Sequence, residues 1–413
     1  MALVSAFAFV APAQAIPPLP TATLVDNYMM SSGAQLKEMA ISPNGHYLFV
    51  VSYSENKLYR FDTITHDVQS VTTGTHPMGV DVSPDGTKVA VSNQGSDTVS
   101  LVDSGTLAVT TVAFTGATPY GVRFTPDGSK MIVSGNSPPS LYIYTLTSGL
   151  VETIPGVGSV TRYFDITSDG SKAYVAENSG DMLTQVELGG AHNVSPTYES
   201  ALNGPMAVAL SPDGAFAYVS SMASPNIATF DITGAALFTG TYAAGSQPAG
   251  LSFSPNGSLL AVANNGENFV TLIEVNTGRT FDIATGVVGN IRGGSSVTGP
   301  WSTVFSPGGT KVYAANEFTG EITEYSISPA AGAGSSAEYT PTPTSTPSAS
   351  ATATAAPTSS PSLSITSSAS PLAAPLANTG QNVAPVIVTA AMLIMGGAVL
   401  LALVLLVRRR TRR

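Results

Sequence analysis

Three charged residues recur at one fixed spacing in this chain and could carry chemistry. Asp81 in GVDVS, Arg123 in GVRFT and Asp165 in YFDIT follow one another at intervals of 42 residues. A carboxylate beside a guanidinium can polarise a carbonyl group and position a water molecule for attack. The same charges can also neutralise one another as a structural ion network inside a fold. The sequence leaves both interpretations open, and His76 in GTHPMG lies close enough along the chain to join either.

Other catalytic constellations are missing from the sequence. There is no cysteine, and the 4 histidines show no HxH or HxxxH spacing, so we expect no metal site. No P-loop, GxSxG elbow or regular Ca²⁺ loop occurs. A haem or quinone cofactor is disfavoured because matched histidine ligands are lacking. We therefore predict no cofactor, and we assign no residue to catalysis, to a metal or to cofactor binding.

The elements that must position the charged residues follow a turn that recurs along the chain. Its copies read SPNG, SPDG, TPDG, TSDG, SPDG, SPNG and SPGG, and their glycines are residues 45, 86, 128, 170, 214, 257 and 309. Proline presets φ at the second turn position, Asp or Asn binds the backbone, and glycine accepts a positive φ. The steps of 41 to 44 residues, with a last step of 52, predict a seven-bladed β-propeller.

Each copy carries the same strands around that turn. A run such as GVDVS precedes the turn as the expected innermost strand, and runs such as KVAVSN and TVSLVD follow as the second and third. A weaker fourth strand completes each copy except the last, which stops after EITEYSI. We predict that residues 22–29 complete blade seven and close the ring, because TATLVDNYMM has no other partner. The fold class is therefore all-β, a seven-bladed propeller of four-stranded blades over residues 20–328.

The repeat resembles that of a known family. Its form, PxGVxxSPDGxxxYVxN followed by a TVxxxD strand, is similar to the YVTN family of β-propellers, over all seven copies. The landmarks of WD repeats are absent, and Trp301 is the single tryptophan. The resemblance implies a seven-bladed propeller of a bacterial or archaeal surface protein. It leaves the function open, because such folds serve as binding scaffolds, lactonases and cofactor domains.

The loops that lead into the innermost strands of a propeller converge on one mouth of its channel. Two cations, two aromatic residues and two methionines at these positions predict a lining for a small anionic or sugar-like ligand. We expect Asp81, Arg123 and Asp165, three positions further along adjacent blades, to touch one another. The aligned positions are Lys37, Met78, Tyr120, Arg162, Met206, Ala249 and Trp301. The predicted channel-mouth site comprises Lys37, Tyr120, Arg162, Trp301, Asp81, Arg123, Asp165 and His76.

The charge of the chain argues against nucleic acid as a partner. The net charge of −10 includes the arginines of the terminal RRRTRR, and without them 11 basic residues face 26 acidic ones. Binding to phosphates needs clustered Lys and Arg, so we expect no nucleic-acid binding by this acidic body.

Both ends of the sequence carry export signals. Residues 1–15, MALVSAFAFVAPAQA, predict a signal peptide cleaved after an Ala-Gln-Ala site. The missing positive n-region suggests a start upstream of Met1. Residues 329–375 predict a disordered Pro/Ser/Thr-rich stalk, since they cannot form a core. Residues 385–407 are free of charge and long enough for a transmembrane helix, and the arginine-rich tail 408–413 is predicted to stay in the cytoplasm.

A short motif stands between the stalk and the predicted membrane helix. It reads LANTG and consists of Leu376, Ala377, Asn378, Thr379 and Gly380. Motif, apolar span and arginine tail together resemble the sorting signal of sortase-anchored surface proteins, in the LAxTG variant of high-GC Gram-positive bacteria. The resemblance implies a class E-like sortase that cuts after Thr379 and joins the chain to cell-wall peptidoglycan. An ordinary single-pass membrane anchor is the alternative.

These observations predict an extracellular propeller held at the cell wall, which passes through the membrane before sortase cleavage. The predicted function is that of a binding or interaction module for a small-molecule, glycan or protein ligand. The alternative is an extracellular hydrolase of the lactonase type, in which Asp81, Arg123, Asp165 and His76 would act on a lactone carbonyl.

Overall fold

The computed structural model describes residues 19–286 and 299–328. By contacts the chain divides into two units, Met1–Thr342 and Pro343–Arg413, and all described residues belong to the first. Among them, no helix has the length and apolar character needed to cross a membrane. The predicted signal peptide, stalk, sorting motif, membrane helix and arginine tail lie outside the described residues.

Regular structure begins with β1 (Thr21–Met29), and the later strands fill the blades in chain order. Each blade is a four-stranded antiparallel sheet, ordered from the innermost to the outermost strand. Blades 1 to 3 contain β2 (Leu36–Ile41), β3 (Tyr47–Ser52), β4 (Lys57–Asp62), β5 (Val68–Thr72); β6 (Pro77–Val82), β7 (Lys88–Asn93), β8 (Thr98–Asp103), β9 (Val109–Ala113); and β10 (Pro119–Phe124), β11 (Lys130–Asn136), β12 (Pro139–Thr145), β13 (Val151–Pro155).

The remaining blades repeat this plan. Blades 4 to 6 contain β14 (Thr161–Ile166), β15 (Lys172–Glu177), β16 (Met182–Glu187), β17 (Val194–Tyr198); β18 (Pro205–Leu210), β19 (Phe216–Ser221), β20 (Asn226–Asp231), β21 (Leu237–Ala243); and β22 (Pro248–Phe253), β23 (Leu259–Asn264), β24 (Phe269–Glu274), β25 (Arg279–Ala284). Blade 7 contains β26 (Pro300–Phe305), β27 (Lys311–Asn316) and β28 (Glu321–Ser328), with β1 as its outermost strand.

The ring closes through the two ends of the propeller, as the sequence predicted. Strand β1 pairs antiparallel with β28, from Thr21 opposite Ser328 to Met29 opposite Glu321. Pairing between the first and last strands covers the edge of β28 and joins the two ends of the propeller. The seven-bladed fold and its closing strand are therefore confirmed.

The recurrent turn also joins neighbouring blades. In blade 2 the amide of Gly86 donates to the carbonyl of Ser83 over 2.8 Å, and the Asp85 carboxylate accepts the Ser83 hydroxyl. Gly86 has a φ of 72°, and a Cβ there would lie 3.4 Å from the Pro43 ring of the preceding blade. Each such glycine contacts the proline of the blade before it, except Gly214, because blade 4 has Ser168 in place of proline.

The innermost strands approach one another closely at glycines. A Cβ on Gly79 would lie 2.6 Å from the carbonyl oxygen of Tyr120 in the next blade. The Ser92 hydroxyl donates to the same carbonyl, and the Ser134 hydroxyl donates in the same way to the carbonyl of Arg162 over 2.8 Å. These contacts fix the distance between blades at the channel, where the charged residues lie.

Candidate functional site

The residues predicted to surround a channel mouth instead fill the channel. Met78, Tyr120, Met206, Ala249 and Trp301 pack into one buried cluster, in which Trp301 is the most exposed at 8%. Large side chains from facing blades thus meet at this level of the channel. We call this cluster, together with Tyr163 and Ala207, the aromatic layer.

Hydrogen bonds and ring contacts order the aromatic layer. The Trp301 indole donates to the Tyr163 hydroxyl over 3.2 Å, and that hydroxyl donates to the carbonyl oxygen of Met78 over 3.1 Å. The rings of Tyr120 and Tyr163 meet edge to face with their centroids 5.0 Å apart. Buried aromatic residues with satisfied polar groups form a rigid packing layer.

The two cations of the predicted mouth are engaged by the protein. Lys37 forms an ion pair with Glu317, and its ammonium lies 3.5 Å from the centre of the Trp301 ring. Burial lowers the pKa of Lys37, and the charge of Glu317 opposes that effect. The guanidinium of Arg162 lies 4.7 Å from the centre of the Tyr120 ring. An anionic ligand would have to compete with these contacts.

His76 lies apart from the aromatic layer. It is exposed, and its imidazole stacks on the Tyr53 ring at 4.5 Å between centroids. Its backbone amide donates to the Asn56 side chain over 2.8 Å. His76 therefore belongs to the surface of the loop end of the channel, where the chain enters the innermost strands.

A charged layer follows beneath the aromatic layer, and its ion pair joins blades that are not adjacent. The guanidinium of Arg123 in blade 3 donates to the carboxylate of Glu38 in blade 1 over 2.6 Å. The sequence predicted contacts from Arg123 to Asp81 and Asp165. Among the described residues no hydrogen bond joins Arg123 to either carboxylate, although both raise its pKa through their charge.

The carboxylates of this layer bind the free inner edge of the sheets. Glu38 accepts the amide of Val80 over 2.9 Å, and Asp81 accepts the amide of Phe124 over 2.7 Å. Asp165 likewise accepts an amide of the following blade over 2.9 Å. An innermost strand has no neighbour on the channel side, so its amides need other acceptors. Asp81 and Asp165 therefore have a structural task as acceptors of backbone amides.

Burial sets the proton affinity of the charged layer. It raises the pKa of Asp81 to about 6, against the lowering effect of Arg123. Burial also raises the pKa of Glu38 and of Asp165, again opposed by Arg123. A carboxylate with a pKa near 6 could exchange a proton close to neutral pH, which is the property that a general acid or base requires.

A cavity of about 250 Å³ occupies the channel on the far side of the aromatic layer. Glu38, Asp81 and Arg123 contribute its charges, and Tyr163 and Trp301 contribute aromatic surface. Hydroxyl groups and aliphatic side chains complete the lining. Exposure increases along the innermost strands toward their turns, where residues such as Ile41, Val82, Ile166, Leu210 and Ser252 are half-buried. The cavity is therefore closed at the loop end and open at the turn end.

Chemically, this cavity offers carboxylates, one guanidinium and hydroxyl groups beside an aromatic surface. Within residues 19–286 and 299–328, no group of three or more His, Asp or Glu side chains could hold a metal ion. The site can thus bind polar or charged groups and could transfer a proton through Asp81.

Sequence reasoning missed Glu38, Tyr163 and Glu317. A signal was present for the first two, because Glu38 and Tyr163 occupy a repeat position that holds Gly, Ala or Ser in the other blades. Glu317 follows the Asn316 that ends the second strand of blade 7 and had no such signal. Its role arises only from its proximity to Lys37.

Comparison with protein families identifies the fold and the family. The model of the YNCE-like β-propellers matches residues 19–237, more than half of the chain. The chain belongs to the YNCE-like β-propeller family. The match includes Glu38, Asp81, Arg123 and Asp165 and ends before Trp301.

This YNCE-like propeller has further similarities of fold. A model described as lactonase, seven-bladed β-propeller, matches residues 190–289. None of the curated proteins matches the chain. Among solved structures, Kuenenia stuttgartiensis hydrazine synthase aligns at 19% identity and a TM-score of 0.60, covering 72% of this chain and 96% of that one. The Cps50 (Swd1) β-propeller domain of Myceliophteria thermophila aligns at 14% identity and 0.61, covering 75% and 100%. At these identities the likeness concerns the fold alone.

Proposed function

We propose that this YNCE-like propeller is a binding module that holds a ligand in the cavity of its channel. The cavity of about 250 Å³ carries the proposal, because it combines charged, hydroxyl and aromatic groups in one concave site. A few polar groups in a partly apolar pocket are typical of sites that select a small ligand. The fold supports the proposal only generally, since propellers serve many functions.

A binding screen tests this function directly. The purified chain is incubated with arrays of glycans, cell-wall fragments, organic anions and organic cations. We expect one ligand class to bind, and to be lost when Val208→Phe fills the cavity that Val208 lines. Val109→Phe on the exposed rim is the matched control and should bind normally. The absence of binding by every class would contradict the proposal.

We also propose that the propeller works outside the cell, held at the wall by the LANTG motif. The support is the order of stalk, motif, apolar span and arginine tail in the sequence. Thr379→Ala should move the protein from the wall fraction to the membrane fraction, because sortase could no longer cleave after residue 379. Thr366→Ala in the preceding tract is the control. An unchanged distribution of the Thr379→Ala chain would refute attachment by sortase.

A lactonase activity remains the second candidate. The lactonase match over residues 190–289 favours it, as does the raised pKa of Asp81. The charged residues that line the cavity, Glu38, Asp81 and Arg123, all precede the matched segment. The protein would be an enzyme rather than a binding module if it hydrolysed members of a lactone panel, if Asp165→Ala abolished this hydrolysis and if Asp67→Ala kept it. Asp67 is an exposed carboxylate and serves as the control.

A further inference from the structure

The cavity has an aromatic end wall. Tyr163 and Trp301 belong both to the aromatic layer and to the cavity lining. Lys37 already lies over the Trp301 ring and belongs to the loop side, since it is absent from the cavity lining. Trp301 thus contacts a cation of the protein and also lines the cavity. Aromatic rings attract cations through their negative faces, most strongly in tryptophan.

The cations and the carboxylates of the protein differ in whether they line the cavity. Lys37 and Arg162, the two cations of the aligned ring, are both held against aromatic faces and do not line the cavity. Among the described residues, the cavity lining has the carboxylates of Glu38 and Asp81 and the guanidinium of Arg123. Arg123 is already paired with Glu38, so Asp81 supplies the excess negative charge.

We infer that the ligand of this cavity is a small organic cation, an ammonium compound that is admitted from the turn end. This inference rests on the proposed binding function and specifies its ligand class. The ammonium group would lie between the aromatic wall and the carboxylate of Asp81. Carboxylate and aromatic surface together replace the hydration shell of an ammonium group.

The size of the cavity limits the ligand. A volume of about 250 Å³ equals that of roughly eight water molecules in the liquid. A compound of the size of choline fits this volume, whereas a polymer could insert only a terminal group. Choline is therefore the first probe, and 3,3-dimethylbutan-1-ol is its uncharged counterpart of the same shape.

Trp301 is a built-in reporter for the test. It is the single tryptophan of the chain and belongs to the cavity wall, so tryptophan fluorescence reads this site alone. Quenching by each ion is expressed relative to its quenching of free tryptophan, and on this scale we expect caesium ions to quench the emission of the purified full chain more strongly than iodide ions at equal ionic strength. We also expect choline to change the emission at concentrations where 3,3-dimethylbutan-1-ol has no effect.

Two matched pairs of variants locate the effect. Asp81→Asn should weaken choline binding about tenfold, which corresponds to about 1.4 kcal/mol, while Asp103→Asn at the exposed end of β8 should leave it unchanged. Ile41→Phe narrows the open turn end and should reduce quenching by caesium. Met222→Phe at the loop end should leave quenching by caesium unchanged, because ligands are admitted from the turn end alone.

The outcomes separate this inference from the function on which it rests. Stronger quenching by iodide than by caesium, or equal binding of choline and its uncharged counterpart, overturns the inference. Loss of choline binding in Asp103→Asn as strong as in Asp81→Asn overturns it as well. A glycan or anion that binds in the cavity while cations do not would keep the binding function and reject the cationic ligand. If no compound binds at all, choline included, both the binding function and the cationic ligand are rejected.

Discussion

Arg123→Met tests whether the charged layer holds the propeller together. Arg123 is the cation that balances Glu38, Asp81 and Asp165 inside the channel. Methionine keeps most of the volume of the side chain and removes its charge and hydrogen bonds. The three carboxylates keep their backbone amide partners and lose their common counter-charge.

The magnitude follows from the geometry of the Arg123–Glu38 pair. Charges separated by 2.6 Å attract by about 6 kcal/mol at an effective dielectric constant of 20. Part of this attraction offsets the cost of removing both charges from water. Loss of one partner of a buried pair typically costs about 3–5 kcal/mol, because the other charge stays buried and uncompensated. We expect Arg123→Met to lower the free energy of unfolding at pH 7 by that amount.

The loss should depend on pH in a definite direction. The folded-state pKa of Asp81, about 6, exceeds the usual 3.8, so protonation of Asp81 favours the folded state. This stability is fully present below pH 3.8 and is lost as the pH rises through about 6. Without Arg123 the pKa values of Glu38 and Asp81 rise further, because the charge that lowers them is gone. At pH 4.5 the Asp81 carboxylate of the variant is protonated, so the loss should be smaller than at pH 7.

Urea unfolding of the wild type and the variant at pH 7 and pH 4.5 measures both quantities. Lys88→Met is the matched control, because Lys88 forms an exposed ion pair with Asp103 over 3.1 Å. Water and salt screen an exposed pair, so this control should change the stability little at either pH. The reasoning is refuted if Arg123→Met resembles Lys88→Met at pH 7, or if its loss is the same at both pH values.

Two further predictions exploit differences between the repeats. Ser168→Pro should raise the unfolding free energy by about 0.5–1 kcal/mol in calorimetry, because it stiffens the unfolded chain and supplies the ring missing beside Gly214. Pro126→Ser is the reverse change one blade earlier, and it should lower the unfolding free energy by a similar amount. If both substitutions changed the unfolding free energy in the same direction, the role of the turn would be contradicted. Glu177→Asn should stabilise the fold by about 1 kcal/mol at pH 7, measured by urea unfolding. Burial raises the pKa of Glu177, which shows that the charged carboxylate is unfavourable there, and the Thr184 hydroxyl can donate to either side chain. That gain should vanish below about pH 4, where the carboxylate is protonated, and a loss of stability at pH 7 would contradict it.

The Glu177 prediction rests on a regular feature of the blades. Asn264 and Asn316, at the end of the second strand in blades 6 and 7, donate to Thr271 and Thr323, seven residues later. Glu177 holds the same position in blade 4 and accepts a hydrogen bond from a threonine, also seven residues later. An uncharged amide thus performs this task elsewhere in the ring without burying a charge.

The contacts of the charged layer also bear on its function. Asp81, Asp165 and Glu38 each accept a backbone amide, so these residues have a structural task whether or not a ligand binds. Substitution of these carboxylates therefore affects stability as well as binding. For this reason the cavity-filling Val208→Phe and the fluorescence of Trp301 are more direct tests of the site than loss of a carboxylate.

The sequence by itself determined the fold, the number of blades and the strand that closes the ring. Those features are local and periodic. A turn such as SPDG and an alternating strand can be recognised from neighbouring residues alone, and the pattern occurs in seven copies. It also indicated Asp81, Arg123 and Asp165 as charges inside the channel. Blade order alone placed them there, because equivalent positions line one axis.

Only the tertiary structure decided which side chains meet across the channel. Arg123 pairs with Glu38 two blades away, and Lys37 pairs with Glu317, 280 positions later in the chain. Which side chains pair depends on their length, on whether they point toward the axis and on the amides that compete for each carboxylate. None of these factors recurs regularly from one blade to the next. The tertiary structure also decided that Tyr120, Tyr163 and Trp301 pack into one buried cluster, because packing between facing blades depends on the size and direction of each side chain.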